Sequence, residues 1–272
     1  MSVDHHLRLA ADSLARGDRD GAWRECEAAL LLDPDCFPAH KMMTGIALPG
    51  PYYTDVLAAV HAQLKPRTYL EIGVASGKTI AIAGPQTRAV GVDPEPSIRH
   101  HLGPNVQIIR ATSDEFFARY DVPALFSRQP VELGFIDGMH HFEFALRDFV
   151  AIERLAATSS TMLLHDCYPL TRSTAERARR TVFWSGDCWR LVLALKKNRP
   201  DLAIATIATA PTGLTVVRNL DPRSTVLAER MDDIVAEFLA VDYDVLAADK
   251  PTMLNLLPND PVRIRTLLSG TQ

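Results

Sequence analysis

The sequence predicts a doubly wound α/β fold: a seven-stranded, mostly parallel sheet with helices on both faces and a small helical extension at the N-terminus. Three observations carry that expectation. From Thr54 onward short apolar runs alternate with helical stretches, the pattern of a parallel sheet buried on both sides. A Pro/Gly-rich segment, Leu-Pro-Gly-Pro-Tyr-Tyr at 48–53, separates this body from a stretch that reads as helix throughout. The 272 residues are 47% hydrophobic and 23% charged, so the chain buries a large core without disulfide or metal staples. At about 150 residues per domain, the chain divides into a helical unit (1–48), an α/β domain (49–220) and a C-terminal helical extension (221–272).

In the helical unit, Leu7, Leu9, Ala10 and Leu14 mark an apolar face before Gly17-Asp18 breaks the chain. Ala22, Cys26, Ala29 and Leu30 repeat the spacing, and Asp33-Pro34 stops it. The small residues Ala10, Ala22 and Ala29, closed by Pro34, resemble a single tetratricopeptide repeat. One such hairpin cannot cover both of its faces, so it docks on the body or on a second copy. A partner-binding arm, a helical cap and a homodimer contact all remain open.

In the body, helix is expected at 54–64, then an apolar strand at 68–72, the turn 73–77 and a short helix. Strands follow at 89–92, 106–110, 131–136 and 161–164, with helices at 114–120, 141–155 and 189–197 between and after them. Two last strands, 202–208 and 214–217, are joined by a Pro211-Thr212-Gly213 turn, short enough to make them antiparallel. Ile234, Val235, Phe238 and Leu239 place a final amphipathic helix at 231–243.

Composition excludes several classes. Lys and Arg number 29 against 33 Asp and Glu, a net charge of −4, so no basic field exists to hold a nucleic-acid backbone. No run approaches the roughly 20 apolar residues of a membrane span, and residues 1–8 hold no signal-like apolar stretch. Cys26, Cys36, Cys167 and Cys188 form no CxxC pair, which indicates neither zinc knuckle nor disulfide framework and fits a reduced, cytoplasmic setting.

The most informative stretch is Glu71-Ile72-Gly73-Val74-Ala75-Ser76-Gly77-Lys78-Thr79, directly after the first strand. Glycines at a strand-to-helix turn let backbone approach a ligand closely. A Walker A loop needs four residues before its Gly-Lys pair, and only Val74, Ala75 and Ser76 intervene here. A dinucleotide GxGxxG fails because Ala75 and Lys78 stand where glycines are required. What remains is E-x-G-x-x-x-G. Glu71 repels phosphate and suits an ammonium group; Asp93, ending the second strand, suits a ribose diol. Ammonium, ribose and no phosphate describe S-adenosylmethionine.

The segments YLEIGVASGKT, AVGVDPEP, FIDGMHHFEFALRDF and LLHD, with GDCW and PTGL further on, resemble class I S-adenosylmethionine-dependent methyltransferases. The similarity is to the branch whose fourth strand ends in IDG-x-H-x-[YF], and it spans 52–220. It implies a Rossmann-like methyltransferase sheet, with Glu71, Gly73, Gly77 and Ser76 at the methionine end, Asp93 on the ribose, and the turn Ala111-Thr112-Ser113-Asp114 at the adenine. Asp137 borders the same cofactor site.

Asp137 ends the fourth strand and Asp166 the fifth, so in a parallel sheet both emerge at one C-terminal edge, near His140, His141 and His165. Carboxylates with imidazoles either hold a divalent cation or perform acid–base work. Catechol-type O-methyltransferases place a metal-binding Asp at each of these strand ends and an Asn after the second; here Cys167 stands at the Asn position. Asp137, Asp166 and His140 are thus the candidate ligands for Mg²⁺ or Mn²⁺, and His140, with Asp137 and His165, the candidate catalytic group. His5, His6, His40, His61, His100 and His101 have no acid companion at a strand end and read as surface residues; His141 reads as the solvent-facing start of a helix. Arg172, Arg177, Arg179 and Arg180 form a basic run that suits either an acidic acceptor or a solvated helix face. Phe183, Trp184 and Trp189 wall an acceptor or belong to the core.

These readings converge on methyl transfer to a small-molecule acceptor, a sugar or secondary-metabolite hydroxyl first. N-methylation, a cofactor-binding scaffold without turnover, and a nucleotide-dependent oxidoreductase are the rivals.

Overall fold

The structure, a computed structural model, describes residues 1–269. Three helices open the chain: α1 (Val3–Ala15), α2 (Arg19–Leu32) and α3 (Phe37–Ala47). The Ser2 hydroxyl caps α1 at His5 N, and the Asp18 carboxylate caps α2 at Gly21 N, satisfying amides that a helix start leaves open. Ala10, Cys26, Ala29, Ala39 and Met43 pack together with Leu170, and Phe183 lies against them. The unit therefore docks on its own chain, against the segment that follows the fifth strand, and it has three helices rather than a hairpin.

Helix α4 (Tyr53–Leu64) leads into the sheet: β1 (Thr68–Ile72), β2 (Arg88–Val92), β3 (Val106–Ile109), β4 (Val131–Ile136), β5 (Ala156–His165), β6 (Ala203–Ile207), β7 (Leu214–Arg218) and β8 (Leu256–Leu257). Spatial order is β3-β2-β1-β4-β5-β7-β6-β8. Strands β1 to β5 pair in parallel, β7 lies antiparallel to β5 and β6, and β8 joins β6 in parallel. The described residues thus hold eight strands where seven were expected. Two residues are too short for an alternating pattern, and Leu256-Leu257 becomes a strand only because the β6 edge offers it partners.

Between strands run α5 (Ser113–Arg119), α6 (Val122–Leu125), α7 (Phe142–Glu153) and α8 (Trp189–Asn198). The helix expected after Gly77 is a single 3₁₀ turn, Ile80–Ile82, because Gly84-Pro85 ends it. The C-terminal part is α9 (Val226–Glu229), α10 (Met231–Leu239), α11 (Tyr243–Ala248), α12 (Lys250–Met253) and α13 (Pro261–Ser269); residues 270–272 of the expected extension lie outside the described ones. Ile264 and Leu268 of α13 join the core under α4. The Lys250 ammonium donates to the carbonyls of Pro169 and Leu170.

No helix among the described residues is long and apolar enough to cross a membrane. Three histidines expected at the surface, His6, His40 and His61, are buried. His6 bonds Glu25 at 2.7 Å, while His61 packs edge-on against Tyr69 and burial pushes its imidazole down to about 4. The absence of a nearby acid in sequence did not mean solvent.

Candidate active site

The C-terminal edge of β1, β2 and β4 surrounds a cavity of about 760 Å³, near the upper end of small-molecule pockets at roughly 300–1,000 Å³. Gly73 turns the chain out of β1 at φ +88°, and a Cβ there would lie 1.9 Å from the carbonyl oxygen of Asp137. Only glycine fits between β1 and β4. Ala75 and Gly77 also take left-handed φ, +45° and +80°, so the turn curls its amides toward the end of β2. There Asp93 Oδ2 accepts from Val74 N at 2.9 Å and Ala75 N at 2.8 Å. Its Oδ1 accepts from Glu95 N at 2.8 Å. Asp93 both braces the turn and lines the cavity, along with Gly73, Ser76, Thr112, Ser113 and Asp137. Thr112 reaches that wall because it caps α5 in a reciprocal bond with Glu115.

Glu71 is placed elsewhere, and its reading as partner of an ammonium group is corrected. Its side chain is fully buried beneath the turn and is absent from the cavity wall. It accepts from Tyr69 Oη at 2.5 Å and Thr79 Oγ1 at 2.6 Å. Burial pushes its carboxyl up to about 8 against the pull of those two hydroxyls, so at neutral pH it is chiefly the neutral acid. Gly77 also stands behind the wall, against Ile98 and Leu102.

Across the cavity, four titratable side chains meet at the ends of β4 and β5. His165 Nδ1 lies 3.0 Å from Asp137 Oδ1 and 3.0 Å from Asp166 Oδ2. His140 Nε2 is 3.6 Å from Asp137 Oδ1, and its Nδ1 is 3.2 Å from Asp166 Oδ2. That second contact is an ion pair off the ring N–H direction, since Nδ1 makes no hydrogen bond. Asp166 Oδ1 accepts from Thr212 Oγ1 at 2.6 Å. His140 and Asp166 both hold left-handed φ, +59° and +56°, costly backbone for residues with a Cβ and characteristic of functional sites.

Electrostatics follow from this packing. Burial raises the Asp137 carboxyl, but the His165 and His140 imidazoles outweigh it and hold it well below the usual range. Burial lowers His140, and the Asp166 and Asp137 carboxylates more than reverse that, leaving it above its ordinary value. His165 is pushed much further in the same direction by the same carboxylates.

Asp137, His140 and Asp166 bring one donor atom each within 4.8 Å of one another, so the expected ligand trio converges. The same donor atoms are also engaged within the protein. The facing oxygens, Asp137 Oδ1 and Asp166 Oδ2, already share the His165 imidazole. Cys167 is fully buried, donates its thiol to the His165 carbonyl and is pushed up to about 12 by burial.

Other expectations resolve with the segment between β5 and α8. Arg172 pairs with Asp242, Arg177 with Glu143 and Asp187, and Arg180 with Glu176, while Arg179 reaches the carbonyls of Thr181 and Val182. Three of the four are paired with carboxylates, and the segment is loop with one 3₁₀ turn, not a helix face. Trp189 is core, whereas Trp184 stacks on His140 with ring centroids 5.2 Å apart and planes within 11°. His141 is half-buried, its Nε2 3.0 Å from the Arg177 carbonyl.

The sequence reading left Tyr53 open between acceptor wall and core, and missed Phe144 and Asp148; all three line the cavity. Tyr53 packs against His165 with ring centroids 4.3 Å apart and planes tilted by 39°. Burial pushes the Asp148 carboxyl up to about 7 against a Ser113 hydrogen bond. Its signal was available: Asp148 shares the buried face of α7 with Ala145, Phe149 and Ile152, and an acid on an apolar stripe needs a reason.

Residues 70–167 match the family model described as a methyltransferase domain. No curated protein matches the chain. Among solved structures, the O-methyltransferase TomG from Streptomyces achromogenes, in complex with SAM, is 16% identical, with 62% of this chain and 80% of that one covered at a TM-score of 0.49. An O-methyltransferase from Bacillus cereus, in complex with SAH, is 11% identical over 65% of this chain and 86% of that one at 0.46. The SAH-bound methyltransferase PaMTH1 of Podospora anserina is 14% identical over 62% and 78% at 0.48. The matched stretch runs from β1 to the residue after Asp166 and so holds the glycine turn, Asp93 and both strand-end acids. The chain carries a methyltransferase domain over those residues.

Proposed function

We propose that the enzyme methylates a hydroxyl of a small molecule, a sugar or secondary metabolite, with His140 as the general base and no metal ion. The observation that carries this reading is His140 itself. It is a partly accessible imidazole on the cavity wall, held over two carboxylates on one side and an indole on the other.

S-adenosylmethionine, when bound, supplies an electrophilic methyl group on a sulfonium. The residues that fit its parts are Gly73, Ser76 and the turn amides, Asp93, and the Thr112-Ser113 wall, with Asp148 beside it. A hydroxyl is a weak nucleophile until its proton is removed. His140 takes that proton in its neutral form, and the resulting imidazolium is stabilised by Asp166 and Asp137. His165 fixes those carboxylates from behind. Tyr53 and Phe144 give the acceptor an apolar wall, and Arg172, Arg177 and Arg180 are each paired with a carboxylate.

The test is formation of S-adenosylhomocysteine with a panel of catechols, phenols, sugars and amines, each run with EDTA and with Mg²⁺ or Mn²⁺. Turnover of hydroxyl acceptors that survives EDTA and disappears in His140→Ala supports the reading. Turnover confined to amines, or an absolute metal requirement, overturns it; SAH binding without turnover on any acceptor would favour the scaffold alternative.

A further inference from the structure

We infer that the N-terminal helical unit is a positioning device for His140, acting through the Val182–Asp187 stretch; this rests on His140 being the reacting base. The contacts form a continuous path. His40 of α3 is fully buried with neither ring nitrogen bonded. Its ring stacks on Phe183, centroids 4.9 Å apart and planes within 6°. Asp35, just before α3, accepts from Val182 N at 2.6 Å. The residue after Phe183, Trp184, is the indole stacked on His140, and its Nε1 is tied to the Glu176 carbonyl at 2.6 Å.

The backbone closes the path. Gly186 comes so near that a Cβ there would lie 2.0 Å from the His140 carbonyl oxygen. Asp187 N donates to that same oxygen at 3.1 Å, and Asp187 Oδ1 accepts from Phe142 N at 2.8 Å. A left-handed residue such as His140 persists only where its surroundings over-determine it. Here they do so on the peptide and the ring alike, and the stretch responsible is itself anchored to α3. The buried His40 ring makes no hydrogen bond, so its contribution is shape and stacking. His40 and Asp35 are thus positioning residues, and the helical unit is part of the reacting corner rather than an arm left for another protein.

The experiment compares wild type with His40→Ala, His40→Phe and Asp35→Ala. Diethyl pyrocarbonate is the probe, the rate of His140 labelling is read by peptide mass mapping, and the exposed His100 and His101 serve as internal standards. Labelling of His140 is expected to accelerate several-fold in His40→Ala and Asp35→Ala, with SAH affinity within twofold of wild type. His40→Phe keeps the stack and is expected to restore the wild-type rate. With an acceptor from the panel, kcat falls about tenfold in His40→Ala while the KM for S-adenosylmethionine is unchanged. Equal labelling rates in wild type and His40→Ala, no rescue by His40→Phe, or full kcat despite faster labelling would each overturn the inference. Failure of the base assignment is read separately, as turnover retained in His140→Ala, and leaves the labelling result standing.

Discussion

The two corners of the cavity are built on opposite principles. The cofactor corner is backbone: a glycine turn curled by three left-handed residues, with Asp93 accepting its amides. The reacting corner is side chain: two carboxylates and two imidazoles, on residues from β4, β5 and the loops after them, with Trp184 laid on top. Backbone recognition is compact in sequence, because a turn and the strand end facing it are about 20 residues apart. A charged cluster costs desolvation, so it needs enclosure, and enclosure comes from distant segments. The first corner can therefore be altered locally, whereas the second depends on the rest of the molecule.

The sharpest way to break the comparison is a pair of glycine substitutions. In Gly73→Ala the new methyl meets the Asp137 carbonyl, and SAH affinity should fall a hundredfold or more, roughly 3 kcal/mol. In Gly186→Ala the new methyl meets the His140 carbonyl, and turnover should fall as steeply while SAH affinity, by calorimetry, stays within a few-fold. If Gly186→Ala also abolished SAH binding, the corners would not be separable.

Next in size, His140→Ala should lower kcat by about 10²–10⁴-fold with SAH affinity unchanged. Asp93→Asn should do the reverse, weakening SAH about tenfold or more through loss of charged acceptors for the turn amides, with little change in kcat at saturating cofactor.

A smaller effect separates the corners by pH. The carboxylates hold His140 above its ordinary 6.5 despite burial. The protonated ring cannot accept a proton, so kcat should be full on the alkaline side and fall as pH drops through a midpoint above 6.5. A kcat profile flat from pH 6 to 9 would remove His140 from the chemistry.

Smallest of all, Arg172→Ala and Arg180→Ala should change turnover less than twofold. Both arginines are spent on exposed carboxylates, where solvent screens the ion pair. A tenfold rise in acceptor KM in either variant would bring back an acidic acceptor.

Taken by itself, the sequence determined the alternating sheet, the glycine turn, Asp93 and the two strand-end acids, because each is written in consecutive residues with a fixed period or spacing. It placed His140 and His165 at the right edge, since strand ends in a parallel sheet share one side. It could not rank Glu71. Only the packing of Tyr69 and Thr79 around that carboxyl shows it to be an internal acid rather than a ligand group. The pairing of each arginine, the burial of His40, the turning away of Cys167 and the eighth strand were likewise decided by the tertiary structure. Each depends on contacts between residues far apart in the chain, and no local pattern encodes which distant surface a side chain will meet.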